Sequence, residues 1–181
     1  QSSPESGITV EFVFAIAPTD YHDAEILDTH FATLLPACDG DVSSLIGRDI
    51  YDRAVQQGNQ VRHAQALYMV ANHNFFSTEW AFNDGFWVCT GDYMVGKQAQ
   101  QGWLEATLGP WFKNTIEGLD LRPDLRAQGQ VPPTVEQWAG TALDVRWSYS
   151  SDDRLSIDDL EGSGAPYINV LGEPNEFTGF T

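Results

Sequence analysis

Hydrophobic and polar residues alternate most strictly near the N-terminus, where Ile8, Val10, Phe12, Phe14 and Ile16 share one face of an extended segment. The opposite face begins polar and becomes apolar in its second half. Side chains of a strand alternate with a period of two, so this pattern predicts a β-strand over residues 8–17. Because the second half is apolar on both faces, we expect this strand to lie in the centre of a sheet.

Apolar side chains at alternating three- and four-residue steps predict several helices farther along the chain. Asp20 and Ser43 or Ser44 are suitable N-caps for the first two helices, and the segment after Pro133 has the form of a capping box. Gly109-Pro110 is expected to stop the fourth helix. The predicted helices cover residues 20–35, 43–58, 61–75, 97–108 and 134–142, and residues 111–116 form one or two further helical turns.

The remaining regular segments are predicted to be strands. Asn83-Asp84-Gly85 is a turn sequence between two aromatic runs, which indicates a short hairpin. Val145, Trp147 and Tyr149 alternate with polar residues in the manner of a half-exposed strand, and residues 167–171 form one more candidate. We therefore expect an α+β fold, a helix-rich single domain with a small, mostly antiparallel sheet.

The length of 181 residues and the hydrophobic content of 42% indicate one globular domain over residues 1–181. Within it, residues 1–7 and 172–181 are expected to be loose, and residues 120–133 to form a long surface loop. No apolar run approaches the roughly 20 residues that cross a bilayer. The sequence thus predicts no membrane-spanning segment.

Charge narrows the choice of partners. The chain has 26 acidic and 9 basic residues, for a formal net charge of −17. Such a surface repels nucleic acid and anionic membranes, because it has no basic patch to release counterions from phosphates. It favours neutral or cationic partners. The oligomeric state is left open.

The two cysteines, Cys38 and Cys89, form one possible disulfide, and a pair of buried free thiols is the alternative. In the chain-entropy model, a bridge over about 50 residues contributes roughly 4 kcal/mol to stability. The chain begins at Gln1 without a basic and apolar leader, which fits a mature form whose signal peptide has been removed. We expect a secreted, extracellular protein.

Three carboxylates lie among aromatic residues in the middle of the chain. Hydrolysis of a glycosidic bond needs one protonated and one ionised carboxyl group, with aromatic faces to hold the sugar rings. Glu79 is the candidate general acid, and Asp92 or Asp84 the candidate base. The alternative is that each carboxylate has an ordinary structural role in a turn, in a helix cap or on the surface. The candidate substrate-binding residues are Trp80, Trp87, Tyr93 and Trp103.

The leading hypothesis is a secreted acidic glycoside hydrolase that acts on a neutral or cationic polysaccharide, although the sequence does not decide whether the chain is an enzyme. One alternative is a non-catalytic module that binds carbohydrate or a small ligand. Another is a metal-binding protein that uses His22, Asp23 and His30, since Asp23 and His30 lie seven residues apart on one face of the first predicted helix. No cofactor is expected. Serine hydrolase, nucleotide and dinucleotide chemistry have no support, because neither a Gly-x-Ser-x-Gly sequence nor a phosphate-binding motif occurs.

Overall fold

The computed structural model describes residue 7 and residues 9–56, 61–90, 94–117, 131–139 and 144–150. Its described strands form one sheet in the order β1-β2-β3-β4. The first three strands are parallel to one another, and β4 runs antiparallel to β3. The prediction of a mostly antiparallel sheet was therefore wrong, because the sheet is mixed. The strands are β1 (Phe12–Ile16), β2 (His30–Pro36), β3 (His63–Tyr68) and β4 (Val145–Ser150).

The described α-helices are α1 (Arg48–Gln56), α2 (Lys97–Thr115) and α3 (Pro133–Ala139), with short 3-10 helices at Asn74–Phe76 and Asp84–Trp87. The prediction of a helix-rich fold was also wrong. Residues 20–29, the first part of the predicted 20–35 helix, contain no helix. The strands β2 and β3 occupy the end of that predicted helix and the first half of the predicted 61–75 helix. Strands that are buried on both faces read as continuous apolar runs, and such runs match helical and extended spacings equally well.

Helices cover both faces of the sheet. On one face, α2 and α3 bring Trp103, Trp111 and Val135 into a core with the inner residues of β2, β3 and β4. On the other face, Ile50 and Tyr51 of α1 pack with Phe31 of β2. Because α1 connects two neighbouring parallel strands, it provides the crossover that parallel pairing requires. The described residues thus form three layers, with the sheet in the middle.

The N-terminal strand exists where the sequence placed it, but its position in the sheet differs from the prediction. β1 pairs with β2 only, so it is one of the two edge strands of the described sheet. Apolar residues on both faces of a strand report that both faces of the sheet are covered. They do not report whether the strand has a neighbour on each side, and the prediction of a central strand was therefore wrong.

Three other elements agree with the sequence patterns. α3 overlaps the predicted 134–142 helix but begins at Pro133, so Thr134 of the predicted capping box already lies inside the helix. β4 has the predicted alternation of buried and exposed residues, and α1 lies inside the predicted 43–58 helix. By contrast, α2 continues through Pro110, which is buried together with the adjacent Trp111. Burial of these two residues outweighs the backbone hydrogen bond that proline removes. The candidate strand at 167–171, the segments 1–6 and 172–181, and most of the loop at 120–133 lie outside the described residues.

Candidate functional site

Two loops meet where the parallel strands β2 and β3 end. β2 is followed by Cys38 and Asp39, and β3 is followed by a turn that leads to His73. The backbone pairing continues beyond the sheet, since the N–H of Ala37 donates to Tyr68 (2.8 Å) and that of Cys38 donates to Ala71 (3.0 Å). In open sheets of this kind, ligands bind beyond the carboxyl ends of the strands. This edge is therefore the first place to look for a site.

Asp39 and His73 form a hydrogen-bonded pair at this edge. The Asp39 Oδ2 atom lies 3.1 Å from Nδ1 of His73, and Asp39 is only 1% exposed. Its other oxygen, Oδ1, accepts hydrogen bonds from the backbone N–H groups of Asp41 and Val42. A carboxylate can only accept, so Nδ1 of His73 carries the proton and Nε2 is left as the basic nitrogen. Asp39 thus fixes both the orientation and the tautomer of the imidazole.

The outer side of the imidazole faces the surface. The His73 side chain is 17% exposed, and its Nε2 atom lies 3.9 Å from Oδ2 of the exposed Asp41. The indole ring of Trp80 stacks on the imidazole, with 5.9 Å between ring centroids and 27° between the planes. An imidazole that is held by a buried carboxylate through one nitrogen and is accessible through the other is the arrangement of a catalytic general base.

Asp84 bridges the two loops that carry this pair. Its Oδ2 atom accepts from the N–H of Gly40 (2.8 Å), and its Oδ1 atom accepts from the N–H of Asn74 (2.9 Å). A Cβ atom at position 40 would lie 2.1 Å from the backbone oxygen of Asp84, so only glycine fits there. The predicted hairpin at 83–85 was wrong. This segment is instead the start of a 3-10 helix, in which the Asn83 side chain accepts from the N–H of Gly85.

Gln100 of α2 anchors the loop that carries His73. Its side chain donates to the carbonyl of Asn72 (2.7 Å) and accepts from the N–H of the same residue (3.1 Å). Both residues are fully buried. The Asn72 side chain in turn accepts from the N–H of Phe75. The position of His73 is therefore fixed by the helix behind it as well as by Asp39.

The disulfide between Cys38 and Cys89 is confirmed, with 5.4 Å between the two Cα atoms. It joins the residue before Asp39 to the end of an aromatic-rich segment, residues 77–89. At the other end of this segment, Nζ of Lys97 donates to the carbonyls of Thr78 and Trp80, each at 2.8 Å. Its regular structure is one short 3-10 helix, Asp84–Trp87, and another precedes it at Asn74–Phe76. The segment is nevertheless fixed at both ends by the disulfide and by Lys97.

Several aromatic residues of this segment are exposed. The side chains of Trp80 and Trp87, both predicted to contact substrate, are 48% and 85% exposed, and the neighbouring Phe82 and Phe86 are similarly open. Trp103 is different, because it is buried in the core and packs edge-on against Tyr68. It lies under the sheet rather than on a binding surface. Tyr93, the fourth predicted contact, lies outside the described residues.

The predicted catalytic carboxylates have different environments. Glu79 is exposed, whereas the general acid of a glycosidase is usually shielded by apolar neighbours. Asp84 has both oxygens engaged by backbone N–H groups, as described above. Asp92 lies outside the described residues. Of the two predicted carboxylates that the structure describes, one is exposed and the other is held by backbone donors, and the roles assigned to Glu79 and Asp92 stay predictions.

The predicted metal ligands do not share a helix face. His22 and Asp23 are exposed in an irregular segment, and His30 begins β2, where its Nδ1 atom accepts from the N–H of Arg62. A seven-residue spacing places side chains together only if the segment is helical, and here it is not. Among the described residues, no group of three histidine, cysteine or acidic side chains is arranged to hold a metal ion.

The sequence patterns did not identify Asp39 and His73 as a pair. The signal was present, since each residue follows an apolar run that proves to be a buried parallel strand.

Comparisons of the chain with family models, with curated proteins and with solved structures gave no match. Within the described ranges, none of the helices has the length and hydrophobicity needed to cross a membrane.

Proposed function

We propose that the protein is a hydrolase of carboxylic esters in which His73 is the general base and Asp39 is its orienting carboxylate. The observation that supports this most directly is the 3.1 Å contact between Asp39 Oδ2 and His73 Nδ1, while Nε2 lies 3.9 Å from the exposed Asp41. The same acid and base occur in hydrolases of unrelated folds and in different chain orders, so the pair is recognised by its geometry. Its place beyond the carboxyl ends of β2 and β3 is where such sheets bind ligands.

In the proposed reaction, Nε2 of His73 takes a proton from an attacking hydroxyl group as that group adds to the ester carbonyl. The imidazolium then gives this proton to the leaving alcohol, and the carboxylate of Asp39 stabilises the imidazolium in between. No hydroxyl or thiol side chain among the described residues hydrogen-bonds to Nε2. The attacking group is therefore water or a side chain from outside the described residues.

The glycosidase hypothesis requires two carboxyl groups that are free to exchange protons. Asp84, one of the two candidate bases, is occupied by two backbone donors, and this supports chemistry based on histidine over a carboxylate pair that includes Asp84. The extracellular location remains part of the proposal. It is supported by the disulfide, because such bonds persist mainly in oxidising compartments.

The test is steady-state hydrolysis of 4-nitrophenyl acetate and butyrate by the wild type and by the His73→Gln, Asp39→Asn and Asp23→Asn variants. We expect the His73 variant to lose at least about 100-fold in kcat, because general base catalysis contributes roughly 10²- to 10⁴-fold. Asp39→Asn should cause a similar loss with little change in KM, since an amide favours the wrong tautomer of the imidazole. Asp23, an exposed carboxylate in an irregular segment, provides the matched control and should leave activity unchanged.

Wild-type protein without esterase activity, or a His73→Gln variant with full activity, would contradict the proposal. The same variants, together with Glu79→Gln, should also be assayed on soluble polysaccharides by release of reducing ends. Loss of reducing-end release in Glu79→Gln with full activity in His73→Gln would instead support the paired-carboxylate glycosidase.

A further inference from the structure

Four exposed aromatic rings lie in one segment of the chain, and the first of them, Trp80, stacks on His73. We call this set the aromatic platform and define it as Trp80, Phe82, Phe86 and Trp87. We propose that the aromatic platform binds the sugar rings of a neutral polysaccharide that carries ester groups, and that it presents those esters to His73. This inference rests on the proposed hydrolase function and adds the class of substrate.

The first argument is concentration. Ten large hydrophobic side chains are exposed among the described residues, and five of them lie between positions 80 and 88. Single exposed hydrophobic residues are normal on protein surfaces, whereas a concentrated set marks an interaction site. Phe86 and Trp87 also contact each other edge-on, with ring centroids 5.4 Å apart. The aromatic platform is therefore a feature of one segment rather than a scatter of separate residues.

The second argument is rigidity. The disulfide at Cys89, the two hydrogen bonds of the Asp84 side chain and the two carbonyl contacts of Lys97 hold the backbone between residues 78 and 89. The rings are thus exposed on a fixed backbone and not on a slack loop. A surface that is already ordered loses less conformational entropy when it binds a ligand, and this favours affinity.

The third argument is the position of the aromatic platform relative to the proposed catalytic pair. Trp80 belongs to the platform and at the same time stacks on the imidazole of His73. A ligand that lies on the exposed half of this indole is therefore adjacent to the imidazole whose outer nitrogen would act on it. Trp80 thus places one ring of the platform directly beside the proposed acid–base pair.

The last argument concerns the chemistry of the ligand. The platform consists of aromatic rings, and among its exposed neighbours only Val88 is a large aliphatic residue. Flat aromatic faces attract the C–H groups of sugar rings through their negative quadrupole, whereas a surface for lipid chains needs no such geometry. The formal charge of −17, together with the exposed Asp41 beside His73 and the exposed Glu79 next to Trp80 in the chain, disfavours anionic polymers and anionic lipid. A neutral, ester-bearing polysaccharide fits both properties.

The test separates binding from turnover. Binding is measured by depletion of protein from suspensions of acetylated xylan, with the His73→Gln variant as the inactive background. In this background, Trp87→Ala combined with Phe86→Ala should weaken binding about 5- to 150-fold, because each of the two aromatic contacts contributes roughly 0.5–1.5 kcal/mol and every 1.4 kcal/mol is about tenfold. In the active background the same pair should lower kcat/KM for acetyl release from acetylated xylan by a similar factor. Tyr21→Ala is the matched control, since Tyr21 is 79% exposed but lies outside the platform.

Unchanged xylan binding in the double variant would overturn the inference. It would also be overturned if the double variant lost binding to phosphatidylcholine vesicles but kept binding to xylan, because the platform would then serve a lipid surface. A clear fall in melting temperature in the double variant would show that the rings pack within the protein, which would equally overturn it. Failure of the hydrolase proposal is recognised separately, as absence of esterase activity in a wild type that still binds xylan through Trp87.

Discussion

Replacement of Asp84 by alanine tests whether one carboxylate holds the two site loops together. The side chain accepts two backbone hydrogen bonds, from Gly40 on the loop after β2 and from Asn74 on the loop after β3. Hydrogen bonds to a charged group contribute about 1.5–3 kcal/mol when they are shielded from solvent. The Gly40 bond is exposed and the Asn74 bond is partly buried, so the lower part of this range applies. We expect Asp84→Ala to lower the free energy of unfolding by about 2–4 kcal/mol.

Two further variants test the same contacts with different expected losses of stability. Asp84→Asn keeps one oxygen acceptor but places an amide donor opposite the second N–H, so it should cost about half as much as alanine. Gly40→Ala leaves the carboxylate of Asp84 intact and instead disturbs the residue that donates a hydrogen bond to it. Its Cβ would lie 2.1 Å from the Asp84 carbonyl oxygen, a distance that forces the backbone apart. A loss similar to that of Asp84→Ala is therefore expected for Gly40→Ala.

The assay is urea unfolding followed by tryptophan fluorescence, with the disulfide kept intact and the slope against urea compared between variants. Glu79→Gln is the control, since it removes a charge from an exposed residue of the same segment and should change stability by less than about 0.5 kcal/mol. A stability for Asp84→Ala within 0.5 kcal/mol of wild type would refute the bridging role. An equal loss in Glu79→Gln would show that general charge matters and the specific contacts do not.

Three other predictions follow from single contacts. Burial lowers the pKa of His63 to about 4. The contribution of the neutral imidazole to stability is therefore complete above the unfolded pKa near 6.5 and is lost as the pH falls toward 4. Between pH 7 and pH 5, the free energy of unfolding measured in urea should fall by about 2 kcal/mol more in the wild type than in His63→Gln. Lys97→Met removes the two contacts to the carbonyls of segment 78–80 and should cost about 1 kcal/mol in the same assay, whereas Lys97→Arg should recover part of it. Replacing both Cys38 and Cys89 by serine opens a loop with a sequence separation of 51 and should cost about 4 kcal/mol, and a loss below 1 kcal/mol would contradict the chain-entropy estimate.

β4 and α1 were predictable from the sequence because each has one polar face, whereas β2 and β3 lack one and were not. β4 alternates buried and exposed residues over its whole length, and α1 has a clear polar side, so both patterns located their elements. β2 is buried at every position but its first, and most of β3 is buried as well. In a run without a polar face, apolar and polar residues do not alternate, so their spacing cannot distinguish a strand from a helix. Alanine-rich segments such as that of β3 also have high intrinsic helix propensity. Tertiary burial decided the outcome there.

The disulfide was the one contact within the site that the sequence could provide, because two cysteines leave only one pairing. Trp80 and Trp87 are exposed, as a surface role requires. The prediction of the catalytic carboxylates depends on a helix that gives way to a hairpin after Phe75. Without that hairpin, Asp84 turns toward the loops behind it and its oxygens are occupied by backbone donors.

The strands β2 and β3 and the Asp39–His73 pair escaped prediction for one reason. Asp39 and His73 are 34 residues apart, and no spacing rule connects them along the chain. Once β2 and β3 are recognised as parallel neighbours, however, Pro36 pairs with Tyr68, and the residues that follow them must leave the sheet at the same edge. A polar residue shortly after each buried strand then becomes a candidate site residue for geometrical reasons alone. The assignment of these two apolar runs to helices therefore removed the only information that could have brought the carboxylate and the imidazole together.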